Sequence, residues 1–299
     1  LDDQTTHVII TGGSSGIGLA TAHKLRASGC SVTIIARDLK KLTTAKEDID
    51  AKNVGRPGTL DIISVDVSNR DQLEAAVKRG CEKHGNRVDV LIASAGVSRP
   101  GRVEEVTTAM YESMVNINYL GALYSALAVL PFMKEKGFGR LIFVSSLAGL
   151  APMIGFSGYS PSKMAVRGLA EVLQMELRPF NIYSSLVNPP DVDTPMLKDE
   201  MKYKPEECKI LSQDGGLFTA DDIADDIISS IKSWRFMVNT GFDGWLLGLI
   251  STDISTPSHS VARSLLEILG SGFLRFVCLC YLASWNRTCA NVHAKNKQQ

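Results

Sequence analysis

A tyrosine and a lysine stand four positions apart at the start of an amphipathic helical pattern. The stretch FSGYSPSKMAVRGLAE (156–171) contains Tyr159 and Lys163, and apolar residues continue beyond it at helical spacing. Residues i and i+4 share a helix face, so the phenol and the ammonium can meet. A free phenol has a pKa of about 10, and a neighbouring cation brings that pKa toward neutrality. The spacing suits a proton-transfer pair, but on these two residues alone a solvated surface pair is the favoured interpretation, and the rest of the chain must decide.

A glycine-rich loop follows the first apolar run of the chain. The run HVIIT (7–11) has strand character, and TGGSSGIG (11–18) leads from it into a helical pattern. Glycines in such a loop allow a pyrophosphate to approach the backbone, and the helix N-terminus supplies N–H donors and a positive dipole end. A tight strand–helix turn without a ligand is the weaker interpretation. The predicted cofactor-binding residues of this loop are Gly12, Ser14, Ser15, Gly16, Ile17 and Gly18.

The end of the second predicted strand indicates which dinucleotide binds. An NAD-specific site usually places a carboxylate there, which binds the ribose 2′-hydroxyl. This strand ends in Ala36 and Arg37, and Lys41 follows four residues after Arg37. A guanidinium can bind a 2′-phosphate through two hydrogen bonds, and the lysine adds a second positive charge. Although Asp38 weakens the pattern slightly, the sequence favours NADPH.

Apolar strands alternate with helical patterns from residue 7 to about residue 189. Further strand-like runs are SVTIIA (31–36), LDIISVDV (60–67), VDVLIASAG (88–96), RLIFVSS (140–146) and IYSSLVNP (182–189). This alternation predicts an α/β, Rossmann-type doubly wound parallel sheet covered by helices on both faces. We predict a single dinucleotide-binding domain over residues 1–240 that includes the catalytic residues. An apolar C-terminal extension, whose composition suits membrane association, covers residues 241–299.

Composition excludes several classes of function. Lys and Arg number 32 and Asp and Glu number 32, so net charge gives no argument for a nucleic-acid partner. The six cysteines form no CxxC pair and there is no histidine cluster, so we predict reduced thiols and no metal site. The chain opens with Leu1 and not with Met, which leaves open an upstream segment such as a membrane anchor.

The motifs together resemble the short-chain dehydrogenases/reductases. The resemblance rests on TGGSSGIG, Asp66 in VDV, Asn118 in NINYLG, Ser146 in VSSLAG and the YSPSK stretch, in this order and spacing. Each motif alone is weak evidence. The matching region covers roughly residues 7 to 240.

The resemblance implies a role for each of several residues. Tyr159 would donate a proton to a carbonyl oxygen as hydride arrives from the nicotinamide, and Lys163 would lower the pKa of Tyr159. Ser146 would hydrogen-bond the developing oxyanion, and its neighbour Ser145 is less favoured. Asn118 would hold a water that links Lys163 to solvent, or would bond only to backbone. Cofactor contacts are implied for Asp66, Val67, Ala95, Gly96, Pro189, Val192, Thr194, Tyr159 and Lys163.

One motif departs from the family pattern. Where the family shows N-N-A-G after the fourth strand, this chain has Ala93, Ser94, Ala95 and Gly96. The loss of the first asparagine removes a side chain that ties neighbouring strands together. We therefore expect an effect on local rigidity more than on catalysis.

The C-terminal extension is unusually apolar. Residues 241–255 and 264–285 are rich in large apolar side chains, and Glu267 and Arg275 are the charged residues of the second stretch. A simple membrane span is disfavoured by Arg275 near its middle. Two interpretations stay open: a core or dimer helix, and a helix in the membrane interface with Arg275 extended toward water.

The extension, together with NPPDVDTPML and GLAEVLQMELRPFNIY, resembles the 3-ketodihydrosphingosine (3-dehydrosphinganine) reductases. This branch implies NADPH-dependent reduction of the 3-keto group of a long-chain sphingoid base in sphingolipid synthesis, at the cytosolic face of the endoplasmic reticulum membrane. Alternatives are a membrane-associated steroid or retinoid carbonyl reductase and a non-catalytic cofactor-sensing scaffold. A homodimer or tetramer is implied, through the long helices that begin near residues 105 and 157. Residues expected to line the substrate pocket are Met196, Leu197, Met201 and Tyr203.

Overall fold

The computed structural model describes residues 6–213, 216–251 and 261–296. The central feature of the fold is one sheet of seven strands. Its strands are β1 (His7–Thr11), β2 (Ser31–Ala36), β3 (Leu60–Ser64), β4 (Val90–Ala93), β5 (Gly139–Val144), β6 (Ile182–Asn188) and β9 (Met237–Asn239). Two short strands, β7 (Asp191–Val192) and β8 (Leu217–Phe218), pair separately.

All neighbouring strands of the sheet run parallel, in the order β3-β2-β1-β4-β5-β6-β9. The order reverses between β1 and β4, because the chain crosses from β3 at one edge back to the centre. Loops at the carboxyl ends of these two strands diverge and leave a crevice, which is where ligands bind in open α/β sheets. The predicted α/β doubly wound fold is confirmed.

Helices cover both faces of the sheet. One face carries α1 (Gly16–Ala27), α2 (Leu39–Lys52) and α9 (Ala220–Ser233); the other carries α3 (Arg70–Glu82), a long helix over 108–136 and α6 (Tyr159–Glu176). Successive strand residues point to opposite faces. Val8 and Ile10 of β1 therefore join one core cluster, whereas Ile9 joins the other, and all three are fully buried.

The long helix over 108–136 is not regular along its length. It consists of α4 (Thr108–Met114), a π-helical segment (Val115–Leu120) and α5 (Gly121–Lys136). By length and composition this helix could cross a membrane, but 44% of its most apolar segment is buried and α5 packs on α3, β4 and β5. Its apolar character is therefore that of a core helix.

The sheet ends at Asn239, and helices α10 (Gly241–Ile250) and α11 (Val261–Asn296) follow. Helix α11 contacts α10 and α8 (Glu206–Gln213), and the short α7 (Pro195–Glu200) precedes α8. The parts Glu267–Phe273 and Arg275–Lys295 meet at 40° and together are also long and apolar enough for a span. The rest of the first predicted apolar stretch, 252–255, lies outside the described residues.

Candidate active site

Tyr159 and Lys163 lie together in the first turn and a half of α6, as their spacing predicts. The Lys163 ammonium nitrogen lies 5.6 Å from the centre of the Tyr159 ring. Lys163 is only 5% exposed, and its Nζ donates a hydrogen bond of 2.9 Å to the Val144 carbonyl at the end of β5. The interpretation of a solvated surface pair is therefore wrong for the lysine, and α6 holds it against the carboxyl edge of the sheet.

Burial, and not the neighbouring ammonium, dominates the protonation of this pair. Burial raises the pKa of the Tyr159 phenol above its usual value, the charge of Glu200 adds to this, and the hydrogen bond with Ser146 only partly opposes it. Burial lowers the pKa of Lys163 to about 8, against the opposing charge of Glu200. Burial is the main cause of the Tyr159 shift, and the role of Lys163 in lowering the pKa of Tyr159 stays a prediction.

The two adjacent serines have different surroundings. The Ser145 hydroxyl is buried and donates to the Lys163 carbonyl over 3.0 Å, so it supports the start of α6. Ser146 begins a 3₁₀ turn, where its Oγ accepts a hydrogen bond of 3.1 Å from the Ala148 amide, and it also contacts Tyr159. Ser146 is thus the serine that meets the phenol, in agreement with the sequence-based preference.

Asn118 lies in the π-helical segment and is 1% exposed. Its Oδ1 accepts from the Val97 amide over 2.8 Å, and its Nδ2 donates to the Val97 carbonyl and to the Ser162 hydroxyl, each over 2.9 Å. A π segment shifts side-chain direction by one residue relative to an α-helix and often occurs at functional sites. Asn118 therefore ties the loop after β4 to α6, and its role toward a water stays a prediction.

The loop after β1 has the close approaches that its glycines predict. Gly12 and Gly16 adopt positive φ angles of 73° and 54°, which side chains rarely tolerate. A Cβ on Gly18 would lie 2.5 Å from the Gly12 carbonyl oxygen, so this glycine serves the packing of α1 on the loop. Unlike the other five residues predicted in this loop, Gly18 does not line the cavity described below. The exposed N-terminus of α1 at Ser15 and Gly16 fits a pyrophosphate.

The residues after β2 and β3 lie side by side. Arg37 is 3.5 Å from Asp66 between Nη1 and Oδ2, and its side chain is 60% exposed. Burial raises the pKa of Asp66, but hydrogen bonds from Ser68 and the charge of Arg37 outweigh this effect and hold the pKa below its usual value. Asp38, which weakened the NADPH pattern, accepts from the Lys41 amide and caps α2. Its carboxylate thus has a structural partner.

Thr11 at the end of β1 is hydrogen-bonded to the altered ASAG motif after β4. The Ser94 amide donates to the Thr11 carbonyl over 3.2 Å, and the Ala95 amide donates to Thr11 Oγ1 over 3.4 Å. A Cβ on Gly12 would meet the Ala95 backbone at 2.8 Å, so the two loops are in close contact.

Thr194, in the loop after β7, caps α7. Its hydroxyl accepts a hydrogen bond of 3.3 Å from the Leu197 amide.

One cavity of about 740 Å³ connects these residues. It extends from the glycine loop past Tyr159 to the C-terminal helices. The predicted residues that line it are Gly12, Ser14, Ser15, Gly16, Ile17, Arg37, Lys41, Asp66, Val67, Ala95, Gly96, Ser146, Tyr159, Lys163, Pro189, Val192 and Thr194.

The cavity also includes residues that sequence reasoning missed. Helices α10 and α11 contribute a mainly apolar wall, and buried Glu200 of α7 lines the cavity. Met196 and Leu197 are in the wall as expected, but Met201 and Tyr203 are about 40% exposed and are not among the described residues that line it. Glu200 lies four residues after Met196 and three after Leu197 on α7, whereas Met201 and Tyr203 lie beyond the end of that helix. The wall residues from the extension are Asp243, Leu246, Leu247, Ile250, Ser251, Arg275, Val277, Cys278, Tyr281, Leu282 and Trp285.

Comparison with known proteins decides the family. Residues 6–204 match the short chain dehydrogenase family. The chain belongs to the short-chain dehydrogenases/reductases. Among solved structures, levodione reductase has a TM-score of 0.69 and 27% identity, covering 76% of this chain and 90% of that one. A Burkholderia phymatum short chain dehydrogenase/reductase in complex with NAD has the same TM-score and 25% identity, covering 78% and 88%.

Relatives of this short-chain dehydrogenase/reductase extend over its C-terminal helices. The 3-ketodihydrosphingosine reductase of Mus musculus is 39% identical, covering 94% of this chain and 84% of its own length. The 3-dehydrosphinganine reductase of Danio rerio is 40% identical over the same shares. The Arabidopsis thaliana relative TSC10B, also named a 3-dehydrosphinganine reductase, is 35% identical, covering 98% of this chain and 87% of its own length. The predicted resemblance is confirmed, and the chain is an oxidoreductase that acts on a keto group.

Proposed function

We propose that this oxidoreductase reduces the 3-keto group of 3-dehydrosphinganine to sphinganine with NADPH, at the cytosolic face of the endoplasmic reticulum membrane. The observation that carries the proposal is the shape of the cavity. It joins a dinucleotide loop, the half-buried Tyr159 with the buried Lys163, and an apolar wall from α10 and α11. The similarity to reductases named for this substrate, over nearly the whole chain, supports the same assignment.

The residues of the cavity fit a phosphorylated dinucleotide. The close contact between Gly12 and Ala95 leaves backbone, and no side chain, facing the place of a pyrophosphate. At the other end of the loop, Arg37 and Lys41 provide positive charge where a 2′-phosphate would lie. When bound, the cofactor supplies the hydride.

The protein side of the reaction is proton delivery and charge stabilisation. The raised pKa keeps the Tyr159 phenol protonated at neutral pH, which is the form that can donate a proton to an alkoxide. Ser146 lies beside that phenol and can donate a second hydrogen bond to the same oxygen. Lys163 can return a proton toward Tyr159, because its pKa of about 8 makes it a stronger acid than an exposed lysine.

The extension fits a substrate that is dissolved in lipid. Large apolar side chains are exposed on α10 and α11, among them Phe242 at 73%, Leu269 at 81% and Phe273 at 71%. Residues further along α11, such as Leu282 and Trp285, line the cavity. An alkyl chain could therefore pass from the bilayer interface to Tyr159 along one helix.

The test is NADPH oxidation by the full chain with 3-dehydrosphinganine, a steroid ketone and retinal, each in the same detergent micelles. We expect turnover with 3-dehydrosphinganine, and loss of that turnover in Tyr159→Phe by at least about 10²-fold with NADPH binding retained. Preferred reduction of the steroid or of retinal would support the alternative reductases instead. Binding of NADPH with no turnover of any ketone would support a cofactor-sensing scaffold.

A further inference from the structure

A buried cluster of charges lies beside the catalytic pair. Lys204, whose side chain is fully buried, is 2.9 Å from Asp191 between Nζ and Oδ2 and 3.7 Å from Glu200 between Nζ and Oε2. Asp191 and Glu200 line the cavity. Two carboxylates thus share one ammonium, and the closer ion pair is the one with Asp191.

Within this cluster, Glu200 is the residue whose charge acts on both members of the catalytic pair. Glu200, Tyr159 and Lys163 line the same cavity, so the carboxylate borders the space in which a carbonyl oxygen would accept a proton from Tyr159. It is 7% exposed, and burial raises its pKa although Lys204 opposes this. Lys204, at 3.7 Å, and the Ser98 side chain are the polar partners that lower the pKa of Glu200, and a carboxylate has about four acceptor positions, so these two partners leave capacity for a cationic ligand.

The substrate proposed above carries such a cation. In 3-dehydrosphinganine an ammonium group is attached to the carbon next to the ketone. The atoms N–C–C=O are those of an amino acid backbone, so the nitrogen lies about 3 Å from the carbonyl oxygen. A ketone bound at Tyr159 therefore presents its ammonium group close to the residues that surround the phenol.

We propose that Glu200 binds the substrate ammonium group next to the keto carbon and so selects amino ketones over simple ketones. This inference rests on the proposed function. A charge-assisted hydrogen bond in a buried site discriminates strongly, because an analogue that lacks the partner leaves the carboxylate poorly solvated. The apolar wall of α10 and α11 then binds the alkyl chain, and Glu200 fixes which carbon faces the hydride.

The test compares two ketones of the same chain length in the same micelles. One is 3-dehydrosphinganine and the other has hydrogen in place of the amino group. For Glu200→Gln we expect the ratio of kcat/KM for the amino ketone to kcat/KM for the other ketone to fall at least about tenfold, because any effect of Glu200 on Tyr159 and Lys163 is common to both ketones. The matched control is Asp199→Asn, because Asp199 is the neighbouring carboxylate on α7, pairs with Lys202 at the surface and is not among the described residues that line the cavity.

Binding gives a readout that does not depend on turnover. Calorimetric titration should show weaker binding of sphinganine to Glu200→Gln, and equal binding of the diol that lacks the amino group. Equal losses for both ketones would overturn the proposal, because Glu200 would then act through the Tyr–Lys pair or through the fold. A loss of the same size in Asp199→Asn, selective for the amino ketone, would also overturn it. Failure of the proposed function is separate: the wild-type chain would not reduce 3-dehydrosphinganine at all.

Discussion

At the scale of single residues, the acid–base chemistry of the site depends on how deeply its groups are buried. Lys163 is held against the Val144 carbonyl by the start of α6, and burial lowers its pKa to about 8. The same environment raises the pKa of Tyr159. Both shifts follow from the cost of a charge in a poorly solvated site. Lys163, and not Tyr159, is therefore the group of the pair that titrates near physiological pH.

This assignment predicts the pH dependence of reduction. Lys163 is protonated below its pKa of about 8 and neutral above it, and reduction requires the protonated form as the source of the next proton. We expect kcat/KM to be constant below this pH and to fall as the pH rises through it. The measurement is a pH profile at constant ionic strength, with circular dichroism as the control for folding. A profile that stays flat through this range would contradict the assignment.

Cofactor choice also belongs to single residues. We expect Arg37→Ala to weaken NADPH binding about tenfold or more and to leave NADH binding nearly unchanged, because only NADPH carries a 2′-phosphate. Fluorescence titration with both cofactors measures the difference. Lys40→Ala is the matched control, since Lys40 precedes Lys41 in α2 but is not among the described residues that line the cavity. Equal losses for both cofactors in Arg37→Ala would argue against an NADPH-specific site.

At the scale of elements, local patterns predicted the strands that are long and apolar. β1, β2, β5 and β6 each contain at least five residues. Their apolar side chains are at least nine-tenths buried, with two exceptions, Ala36 and Tyr183. Such runs are read directly from the sequence. β9 has three residues and β7 and β8 have two each, so pairing with distant strands, and not local pattern, creates them.

Some residues of the site come together through local helix geometry, and others only through contacts between distant parts of the chain. Tyr159 and Lys163 are four residues apart, so helix geometry alone brings them together. Asn118 reaches the site only through the π segment and through hydrogen bonds to Val97 and Ser162. The contribution of α11 to the cavity depends on how this helix packs on α8 and α10, and no spacing rule predicts that.

The apolar surface of α11 leads to a prediction for that element. Phe273 and Phe276 are 71% and 63% exposed, and the protein has no net charge. We expect apolar, salt-insensitive binding to phosphatidylcholine vesicles, and a loss on the order of a hundredfold in partitioning for Phe273→Asp with Phe276→Asp. Vesicle flotation measures this.

The matched control for that experiment is Val54→Asp, because Val54 is 84% exposed in the loop after α2. It should float with vesicles like the wild type. Retained flotation of the α11 variant would show that this face does not bind lipid. Reduction of a short, water-soluble ketone should persist in both variants, since neither Phe273 nor Phe276 is among the described residues that line the cavity.

At the scale of the whole molecule, two apolar surfaces are left on the described residues, and they lie on different elements. One is the surface of α10 and α11, and the other is formed by the long helix 108–136 and α6. Leu127 is 44% exposed on α5, and Met164, Val172 and Met175 are 46%, 45% and 57% exposed on α6. An apolar helix pair of this kind suits an interface between two copies of the chain.

We therefore expect a homodimer, or a tetramer that contains this dimer, assembled through α5 and α6. Leu127→Glu with Val172→Glu should give single chains, because an isologous interface would bring like charges together in a poorly solvated contact. Light scattering in detergent, with the detergent mass subtracted, measures the change. The α11 variant serves as the control and should keep the mass of the wild type. A wild-type mass equal to one chain would count against assembly through α5 and α6, and an unchanged mass in the Glu variant would place the interface elsewhere.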